Sequence, residues 1–509
     1  MLLIMATGLK LGSITKSFGD FLALDAAHLS VEYGEVHALL GENGAGKSSL
    51  MNVAAGLYSP DAGSIAVAGV PCRFAGPRDS MQHGIGMIHQ NYKLVKRFTV
   101  AENVLLANPR GNFRSGKATI EREIKEKANA LGFSLDPARR VDRLSIAEQQ
   151  RVEIIKALVA GARILILDEP TAVLTEGEAQ RLLAMVRDIA EGGAAVILVT
   201  HKLRDVKAFA HRVTIMRGGK TLATVDPRQT TAEQLTTLMV GSHVVTPSRS
   251  AKSAGAVRLN VTGLASSTVE GHTPLLDATF SVRSGEIYGI AGVGGNGQTE
   301  LAEALVGGRQ PSAGAISIEE PGSPTAADIT RATPRQRRDY GVASVPADRQ
   351  WFGLATRLSI VDNFAIGFIH EGRFGSIALI DRTGMRRATQ AAVNEFEVQG
   401  VRSLSQRAGT LSGGNAQKLI LSRELSRAPS IIVAHSPTRG LDVRACAAVH
   451  ARLVAARDAG AAVVLISEDL DEVLGIADRI GVMTRGRIVA EFDAPADRNA
   501  VGRAMVDHV

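Results

Sequence analysis

Two glycine-rich segments of this chain have the residue types that cradle a chain of phosphates. Residues 41–48 read GENGAGKS, and residues 292–299 read GVGGNGQT. Closely spaced glycines let backbone N–H groups point at phosphate oxygens, and the helix that follows such a loop adds a partial positive charge. In the first segment we expect Lys47 to reach the β- and γ-phosphates and Ser48 to hold Mg²⁺. Gln298 replaces the lysine in the second segment, so only the first loop is complete.

A pair of adjacent carboxylates supplies the second part of a phosphate-transfer site. Asp168 and Glu169 directly follow the apolar run at residues 164–167, which reads ILIL. A carboxylate at the end of a buried strand can bind the metal through water, and its neighbour can polarise the water that attacks the γ-phosphate. The complete loop and this pair together predict hydrolysis of ATP with Mg²⁺. His435 and Ser436 stand at the matching place in the second half, which therefore lacks both carboxylates.

These segments recur at fixed spacings along the chain. Gly41 and Gly292 differ by 251 positions, whereas Asp168 and His435 differ by 267 positions. A constant offset on either side of one expansion of 16 residues (267 − 251) predicts duplication of a whole domain. A chain of 509 residues is also long enough for two domains with separate cores.

The coarse pattern predicts an α/β fold with two tandem domains. Continuous apolar runs at 164–167 and 431–434 are typical of strands buried on both faces of a mostly parallel sheet. The more helical stretches at 99–150 and 359–418 predict a helical subdomain inserted into each core. The segment between the halves is rich in small and polar residues and has no periodicity. The expected boundaries are a first domain at 1–243, a linker at 244–256 and a second domain at 257–509.

Composition narrows the class of protein. The apolar runs are far shorter than the ~20 residues that span a bilayer, and residues 1–5 lack the basic leader of a signal peptide. Cys72 and Cys446 are far apart, which indicates a reducing cytoplasm rather than a disulfide framework. The net charge of +7 comes from scattered residues, which favours a solvated basic surface over a nucleic-acid site. The densest basic cluster, at 331–338, falls in the expansion and predicts an exposed loop.

At these motifs the chain resembles the ATP-binding cassette (ABC) ATPases, and the resemblance covers nearly all of both halves. It implies that Gln90, at the end of MIHQ, reaches the metal and the water, and that His201 in VTHK contacts the γ-phosphate. It also implies that Phe18 stacks on adenine, whereas packing of Phe18 in the core is the alternative interpretation. The implied catalytic residues are Gln90, Glu169 and His201, the implied nucleotide contacts are Phe18, Gly41, Gly44, Gly46, Lys47, Ser48 and Ser49, and the implied metal ligands are Ser48, Gln90 and Asp168.

The signature loop of that family, LSGGQ, binds the γ-phosphate of the nucleotide held by the opposite domain, at a helix N-terminus. Residues 411–415 read LSGGN, which is similar, whereas residues 144–148 read LSIAE and place Glu148 near a phosphate. The resemblance implies head-to-tail pairing of the domains, which would give one competent ATP site and one degenerate site. From the second domain the competent site would take Ser412, Gly413, Gly414, Asn415 and Asp442, and the degenerate site would contain Gln298, His435, Ser436 and Glu468.

The resemblance extends to one branch of the family. Segments 86–104 and 348–363 resemble the fused twin-cassette subunits of bacterial simple-sugar and nucleoside importers. The sequences GNGQ at 295–298 and PTRGLD at 437–442 are closer to the nucleoside branch, which is served by basic-membrane-protein-type binding lipoproteins. Sugar importers of the ribose/galactose type usually keep a basic residue in the second phosphate loop and keep the second acidic pair. The resemblance therefore favours nucleoside import, with simple-sugar import as the alternative.

The resemblance also implies partners and a location. Two transmembrane permease subunits, identical or different, would dock in grooves formed by residues 91–104 and by the segment after Asp348. A periplasmic or lipid-anchored substrate-binding protein would deliver the cargo. The chain would be peripheral to the bacterial plasma membrane, on its cytoplasmic face, without a nucleic-acid partner. Soluble twin-cassette ATPases that act on ribosomes are the remote alternative, because they usually carry a long charged linker and two intact sites.

Overall fold

The computed structural model describes residues 7–505 except 20, 43, 90–91, 108–116, 172–173, 175, 241–253, 268–273, 320–324 and 377–378. The expected linker therefore lies mostly outside the described residues. The chain divides into two compact units, Met1–Val244 and Val245–Val509, and each unit has its own sheets and apolar cores. Among the described residues, no helix has the length and apolar character needed to cross a membrane.

The first unit alternates strands and helices. Its strands are β1 (Thr7–Phe18), β2 (Phe21–Glu32), β3 (Val36–Gly41), β4 (Ala62–Val67), β5 (Val70–Cys72), β6 (Ile85–Ile88), β7 (Ile164–Asp168), β8 (Ala195–Thr200), β9 (Arg212–Arg217) and β10 (Lys220–Val225). Its helices are α1 (Lys47–Ala54), α2 (Pro77–Gln82), α3 (Val100–Ala107), α4 (Lys117–Ala130), α5 (Ile146–Val159), α6 (Glu176–Glu191), α7 (Leu203–Phe209) and α8 (Ala232–Val240), with a short 3₁₀ turn at Val141–Arg143.

The central sheet of the first unit has the strand order β10-β9-β3-β8-β7-β6. The neighbours from β9 to β6 are parallel, and only β10 runs antiparallel to its neighbour. Strands β3 and β8 are buried along their whole length, as the continuous apolar runs predict for a sheet covered on both faces. A second, antiparallel sheet, β2-β1-β4-β5, was not predicted from the sequence and shares an apolar cluster with β3 and β7.

The second unit repeats this plan. Its strands are β11 (Val257–Ala265), β12 (Ala278–Arg283), β13 (Ile287–Ala291), β14 (Ala313–Ile318), β15 (Ala327–Asp328), β16 (Val342–Val345), β17 (Gly375–Ser376), β18 (Leu379–Ile380), β19 (Ile431–His435), β20 (Ala462–Ser467), β21 (Arg479–Thr484) and β22 (Arg487–Asp493). Its helices are α9 (Gln298–Val306), α10 (Pro334–Asp339), α11 (Ile360–Ala365), α12 (Arg382–Glu395), α13 (Gly413–Leu425), α14 (Val443–Asp458), α15 (Leu470–Ile476) and α16 (Arg498–Ala504), with a π-helical turn at Arg349–Gly353 and 3₁₀ turns at Ile369–Glu371 and Ala408–Thr410.

Both units confirm the predicted α/β class. The central sheet of the second unit, β16-β19-β20-β13-β21-β22, is parallel up to β21, and β22 is antiparallel to it. Helices α3, α4 and α5 enclose an apolar cluster with Val104 and Ile124, and helices α11 and α12 enclose one with Phe364 and Met385. Each unit thus contains the mostly parallel core and the inserted helical subdomain that the sequence predicts.

The expectation of a single expansion was wrong, because the second unit gains its extra residues in four places. One of them precedes helices α4 and α12, which begin 265 positions apart, at 117 and 382. Strands β4 and β14 begin 251 positions apart, at 62 and 313, and strands β6 and β16 begin 257 positions apart, at 85 and 342. The offset reaches 260 at α3 and α11, which begin at 100 and 360, and 267 at α5 and α13, which begin at 146 and 413. Each gain lies between elements, where an added loop does not disturb the sheet.

The prediction of an exposed loop at 331–338 was also wrong. Helix α10 covers part of this cluster, and Arg337 is only 1% exposed. The guanidinium donates to backbone carbonyls, which lie at the C-terminal end of α9 and in the loop before α10; these are Ala304, Leu305, Thr330 and Ala332. The negative end of α9 stabilises a cation there, although burial lowers the pKa of Arg337 to about 10. Distant acceptors of this kind are not visible in a local charge pattern.

Candidate functional site

In the first unit, parallel strands bring the predicted site residues to one edge of the sheet. Strand β3 ends at Gly41, β7 ends at Asp168, and β8 ends directly before His201. Because β3, β8 and β7 are parallel neighbours, the phosphate loop, the carboxylates and the histidine meet there. Gln90 lies outside the described residues, so its catalytic and metal-binding roles remain predictions.

The first phosphate loop folds around the side chain of its lysine. Gly44 and Gly46 adopt left-handed backbone conformations, with φ of 84° and 97°, which favour glycine. Lys47 is buried, and its Nζ donates to the carbonyl oxygens of Gly41 at 2.7 Å and Glu42 at 2.9 Å. The ammonium group is therefore held inside the loop, where a bound phosphate would meet it.

Asp168 contacts the start of helix α1. The hydroxyl of Ser48, which together with Ser49 belongs to the first turn of α1, lowers the pKa of this carboxylate. Burial raises the pKa of Asp168, and the negative charge of Glu169 raises it further, while Lys47 and Ser48 act in the opposite direction. A hydroxyl oxygen and a carboxylate whose charge is destabilised by burial and by a second carboxylate fit a hard divalent cation.

Glu169 is held in an unusual backbone conformation next to a histidine. Its φ of 49° is left-handed, and its N–H donates to the carbonyl oxygen of Val199 at 2.9 Å. The carboxylate Oε1 lies 3.1 Å from Nδ1 of His201. This hydrogen bond is the largest influence on Glu169 and lowers its pKa. The carboxylate is consequently ionised at neutral pH, as a group that polarises water must be.

A hydroxyl–carboxylate hydrogen bond braces this edge and recurs in the second unit. Thr171 donates to Asp205 at 2.7 Å, and Thr438 donates to Glu472 at 2.7 Å. In the first unit the bond joins the turn after β7 to helix α7, which follows β8. In the second unit it joins the turn after β19 to helix α15, which follows β20. The brace was not predicted from the sequence, although both residues of each pair recur at the offset of 267.

Phe18 lies at the end of β1 and is 44% exposed as a residue. The ring meets Tyr58 edge-on at a centroid distance of 5.2 Å, and the ammonium of Lys16 is 5.8 Å from its centre. Exposure disfavours the core-packing interpretation and leaves the ring accessible for stacking. Tyr58 was not singled out in the sequence, where an aromatic residue after α1 carries no motif.

The signature loop of the second unit precedes helix α13. Gly413 and Gly414 are the first residues of the helix, and the hydroxyl of Ser412 accepts a hydrogen bond from Nδ2 of Asn415 at 2.9 Å. The first N–H groups of a helix have no partner within the helix, so they suit an anion. Asp442 caps α14 by accepting the backbone N–H three residues further on.

The corresponding loop of the first unit is already occupied by a carboxylate. Ser145 caps α5 and accepts the N–H of Glu148 at 3.2 Å, while the Glu148 carboxylate accepts the N–H of Ser145 at 2.8 Å. Arg139 donates to the same carboxylate at 2.7 Å. This reciprocal cap satisfies helix donors that a phosphate would otherwise use, and it supplies a physical reason for the poor signature.

The second phosphate loop keeps the backbone of the first but not its charge. Gly297 has φ of 104°, and Gln298 folds into the loop, where its Oε1 accepts the N–H of Asn296 at 3.0 Å and its Nε2 donates to Val293 at 3.0 Å. The carboxylate of Glu468 also lies close to this loop. Its Oε1 is 2.8 Å from the place that a Cβ atom of Gly294 would take.

The turn after β19 also keeps the backbone conformation of the first cassette but not its charged side chains. Ser436 has φ of 43° and donates its N–H to Ile466 at 2.7 Å, which reproduces the conformation of Glu169. His435 takes the place of Asp168, and burial, followed by the charge of Arg439, lowers its pKa. The described second cassette therefore has the backbone of a catalytic turn with neither of its carboxylates.

Comparison with known proteins agrees with this geometry. The family model described as ABC transporter matches residues 24–172 and 275–439. The glucose import ATP-binding protein TsgD13 of Haloferax volcanii is 41% identical over 98% of this chain and 95% of that protein. The nucleoside import ATP-binding protein NupA of Lactococcus lactis is 39% identical over 95% and 94% of the two chains, respectively. The guanosine import ATP-binding protein NupO of Bacillus subtilis is 39% identical over 94% of this chain and 93% of that protein.

Some solved structures cover both halves of the chain. The archaeal ribosome recycling factor aABCE1, in complex with the ribosomal stalk protein aP1, has a TM-score of 0.65 over 97% of this chain and 92% of that chain. Its sequence identity of 16% shows a common fold and nothing about function. With both halves matched by the family model and relatives matched end to end, the chain belongs to the ABC transporter family, as an ATP-hydrolysing subunit that contains two ATP-binding cassettes.

Proposed function

We propose that this chain powers nucleoside import by hydrolysing ATP at a site built on its first cassette. The single observation that carries the catalytic part is the Glu169–His201 contact of 3.1 Å next to the loop of Lys47. Glu169 polarises the attacking water, and Lys47 binds the β- and γ-phosphates. His201 orients the carboxylate and contacts the γ-phosphate, and Phe18 stacks on the adenine.

Mg²⁺ fits the oxygen donors of the same site. Ser48, which lies in the first turn of α1, and Asp168, which ends β7, would hold the ion together with Gln90. Bound there, the ion would neutralise charge that develops on the phosphate oxygens. The protein's own contribution is to keep the Asp168 carboxylate at the end of a rigid buried strand.

The second cassette contributes its signature loop rather than a second catalytic site. Ser412, Gly413, Gly414 and Asn415 bind the γ-phosphate of ATP held by the first cassette, and Asp442 follows in the adjoining loop. The N-terminus of α13 supports this role, whereas the N-terminus of α5 is occupied by Glu148. One ATP is therefore hydrolysed per cycle of association and separation of the cassettes.

The membrane partners are two permease subunits, and a periplasmic or lipid-anchored protein supplies the cargo. Exposed apolar side chains support a docking groove in the second cassette: Trp351 is 81% exposed and Phe352 is 70% exposed, beside a cavity of about 530 Å³ that is also lined by Ile366. In the first cassette Phe98 is exposed within the described part of residues 91–104. Apolar exposure of this kind is typical of protein interfaces. The chain acts at the cytoplasmic face of the plasma membrane.

Two observations favour nucleosides as the cargo. The relatives NupA and NupO are named for nucleoside and guanosine import, and the second phosphate loop of this chain has Gln298 without an acidic pair at 435–436. Simple sugars are the second candidate, because TsgD13 is named for glucose import and is 41% identical. The likeness to aABCE1 concerns the fold alone and does not favour a ribosomal role.

The test is uptake of labelled nucleosides, ribose and glucose by cells with the gene, without it, and with the Glu169→Gln variant. We expect nucleoside uptake alone to disappear in the deletion and in the variant. Loss of sugar uptake alone would replace nucleosides with sugars as the cargo. Unchanged uptake of all three compounds would contradict the assignment to both cargo classes.

A further inference from the structure

Arg349 opens the π-helical turn Arg349–Gly353, four residues after the end of β16. The carboxylate of Asp348 caps this turn by accepting the N–H groups of Gln350 and Trp351, each at 2.9 Å. The cap fixes the start of the turn, shortly after the end of β16 at Val345. π-turns are rare and occur most often at functional sites.

The guanidinium of Arg349 contacts two loops that follow much later in the chain. Nη1 donates to the carbonyl oxygen of Arg439 at 2.8 Å. Nη2 lies 2.7 Å from the place that a Cβ atom of Gly413 would take, and 3.6 Å from the corresponding place at Gly440. Arg349 therefore lies between the first glycine of the signature loop and the loop that leads to Asp442.

The same turn presents its aromatic residues to the surface. Trp351 and Phe352 are two and three residues after Arg349, and both are largely exposed. They border the docking groove proposed above. A single short turn thus connects an apolar surface for the permease to the backbone of the signature loop.

The described residues of the first cassette do not form this connection. Four residues after β6, at the place that Arg349 takes after β16, the first cassette has Tyr92, whose hydroxyl lies 3.4 Å from Gln150. Its signature has Ile146 where the second cassette has Gly413. A side chain at position 413 would displace the guanidinium, and in this chain the arginine and the intact signature occur in the same cassette.

We propose that Arg349 is a positioning residue that transmits permease docking at Trp351 and Phe352 to the signature loop at Ser412–Gly414. The inference rests on the proposed function. It assigns the coupling to one side chain, which holds the signature loop and the Arg439–Gly440 segment in a common position. Burial lowers the pKa of Arg349, and this cost is consistent with a functional role for a cation at this place.

The test compares ATP hydrolysis by the isolated chain with hydrolysis by the chain assembled with its permease subunits in lipid vesicles. We expect Arg349→Gln to reduce the permease-stimulated kcat by about tenfold or more, as for loss of a charged hydrogen bond, with the KM for ATP changed less than about twofold. Arg349→Lys should recover part of the stimulation, because its ammonium can still donate to the Arg439 carbonyl. Arg387→Gln, an exposed arginine on α12, is the matched control.

The outcomes separate the two proposals. A wild-type chain that the permease subunits do not stimulate would overturn the proposed function and this inference with it. Stimulation of wild type and of Arg349→Gln to the same extent would overturn the inference alone. Because Gly413→Ala displaces the guanidinium, its effect should be less than multiplicative with Arg349→Gln. A fully multiplicative loss in the double variant would also overturn the coupling, whatever the stability of the single variants.

Discussion

Nδ1 of His201 lies 3.1 Å from Oε1 of Glu169, although the two residues are 32 positions apart in the chain. They follow the ends of neighbouring parallel strands, β8 and β7, so the sheet sets their distance. In the second unit the matching residues are Glu468 and Ser436. A carboxylate stands at the histidine position, but none follows the end of β19. The second turn therefore has no carboxylate base to polarise water.

Replacing Glu169 with glutamine should reduce ATP hydrolysis by the assembled transporter by about 100-fold or more. The amide keeps the shape of the side chain but removes the charge that polarises water, and such groups contribute about 10²–10⁴-fold. Ser436→Ala, at the matching place in the second cassette, is the control and should leave most of the activity. Comparable losses in the two variants would show that the sites are not asymmetric.

Placing an aspartate at Gly414 should reduce turnover by about 100-fold. The carboxylate would face the γ-phosphate, and a Cβ atom at this position is already only 3.1 Å from Cβ of Ala445. Loss of one anion-stabilising group commonly costs about 10²–10³-fold in kcat. Ala147→Asp, at the equivalent place in the first signature, should have little effect on the measured hydrolysis rate. Normal turnover by Gly414→Asp would contradict the head-to-tail assignment.

Restoring lysine at Gln298 should not create a second active site. Ser436 still supplies no base, and the carboxylate of Glu468 still lies against the loop at Gly294 and repels a triphosphate. We expect the hydrolysis rate at saturating ATP to stay within about 20% of wild type, since electrostatic stabilisation at the chemical step is still absent. A doubled rate would refute the prediction. Lys47→Gln is the matched loss-of-function control.

Glu424→Gln should destabilise the second unit by about 3 kcal/mol, because it leaves two arginines beside an uncharged buried group. Glu424 is fully buried and accepts from Arg423 at 2.8 Å and from Arg338 at 2.9 Å. Urea unfolding followed by circular dichroism measures the change. Glu395→Gln, at an exposed ion pair with Arg452, should cost less than about 1 kcal/mol. Equal effects of the two variants would contradict the prediction.

The contribution of Glu424 to the free energy of unfolding should also depend on pH. Burial alone would raise its pKa, but Arg423 and Arg338 outweigh burial and lower the pKa below its ordinary value of 4.5. A carboxylate with a lowered folded-state pKa stabilises the fold fully above the unfolded pKa, and this stabilisation is lost as the pH falls through the folded pKa. The difference between wild type and Glu424→Gln should therefore shrink below about pH 4.5 and stay constant between pH 6 and 7.

The duplication, the α/β class and the chemistry of the site could be predicted from the sequence alone. Phosphate loops and strand-end carboxylates are short motifs, and their chemistry follows from residues adjacent in the chain, such as Gly46 with Lys47 and Asp168 with Glu169. Continuous apolar runs also identify buried parallel strands without any knowledge of partners. The loss of charge at Gln298 and Ser436 is visible in the same way.

The tertiary structure decided which distant groups each charged side chain contacts. Arg337, expected in an exposed loop, is buried against carbonyls of α9, and Glu148, expected near a phosphate, closes the cap of its own helix. The position of Arg349 against Gly413 joins segments more than 60 residues apart. A charged side chain is stabilised by whichever donors or acceptors the packing brings within about 3 Å. Many of these partners are backbone atoms, which have the same chemistry at nearly every position of the sequence.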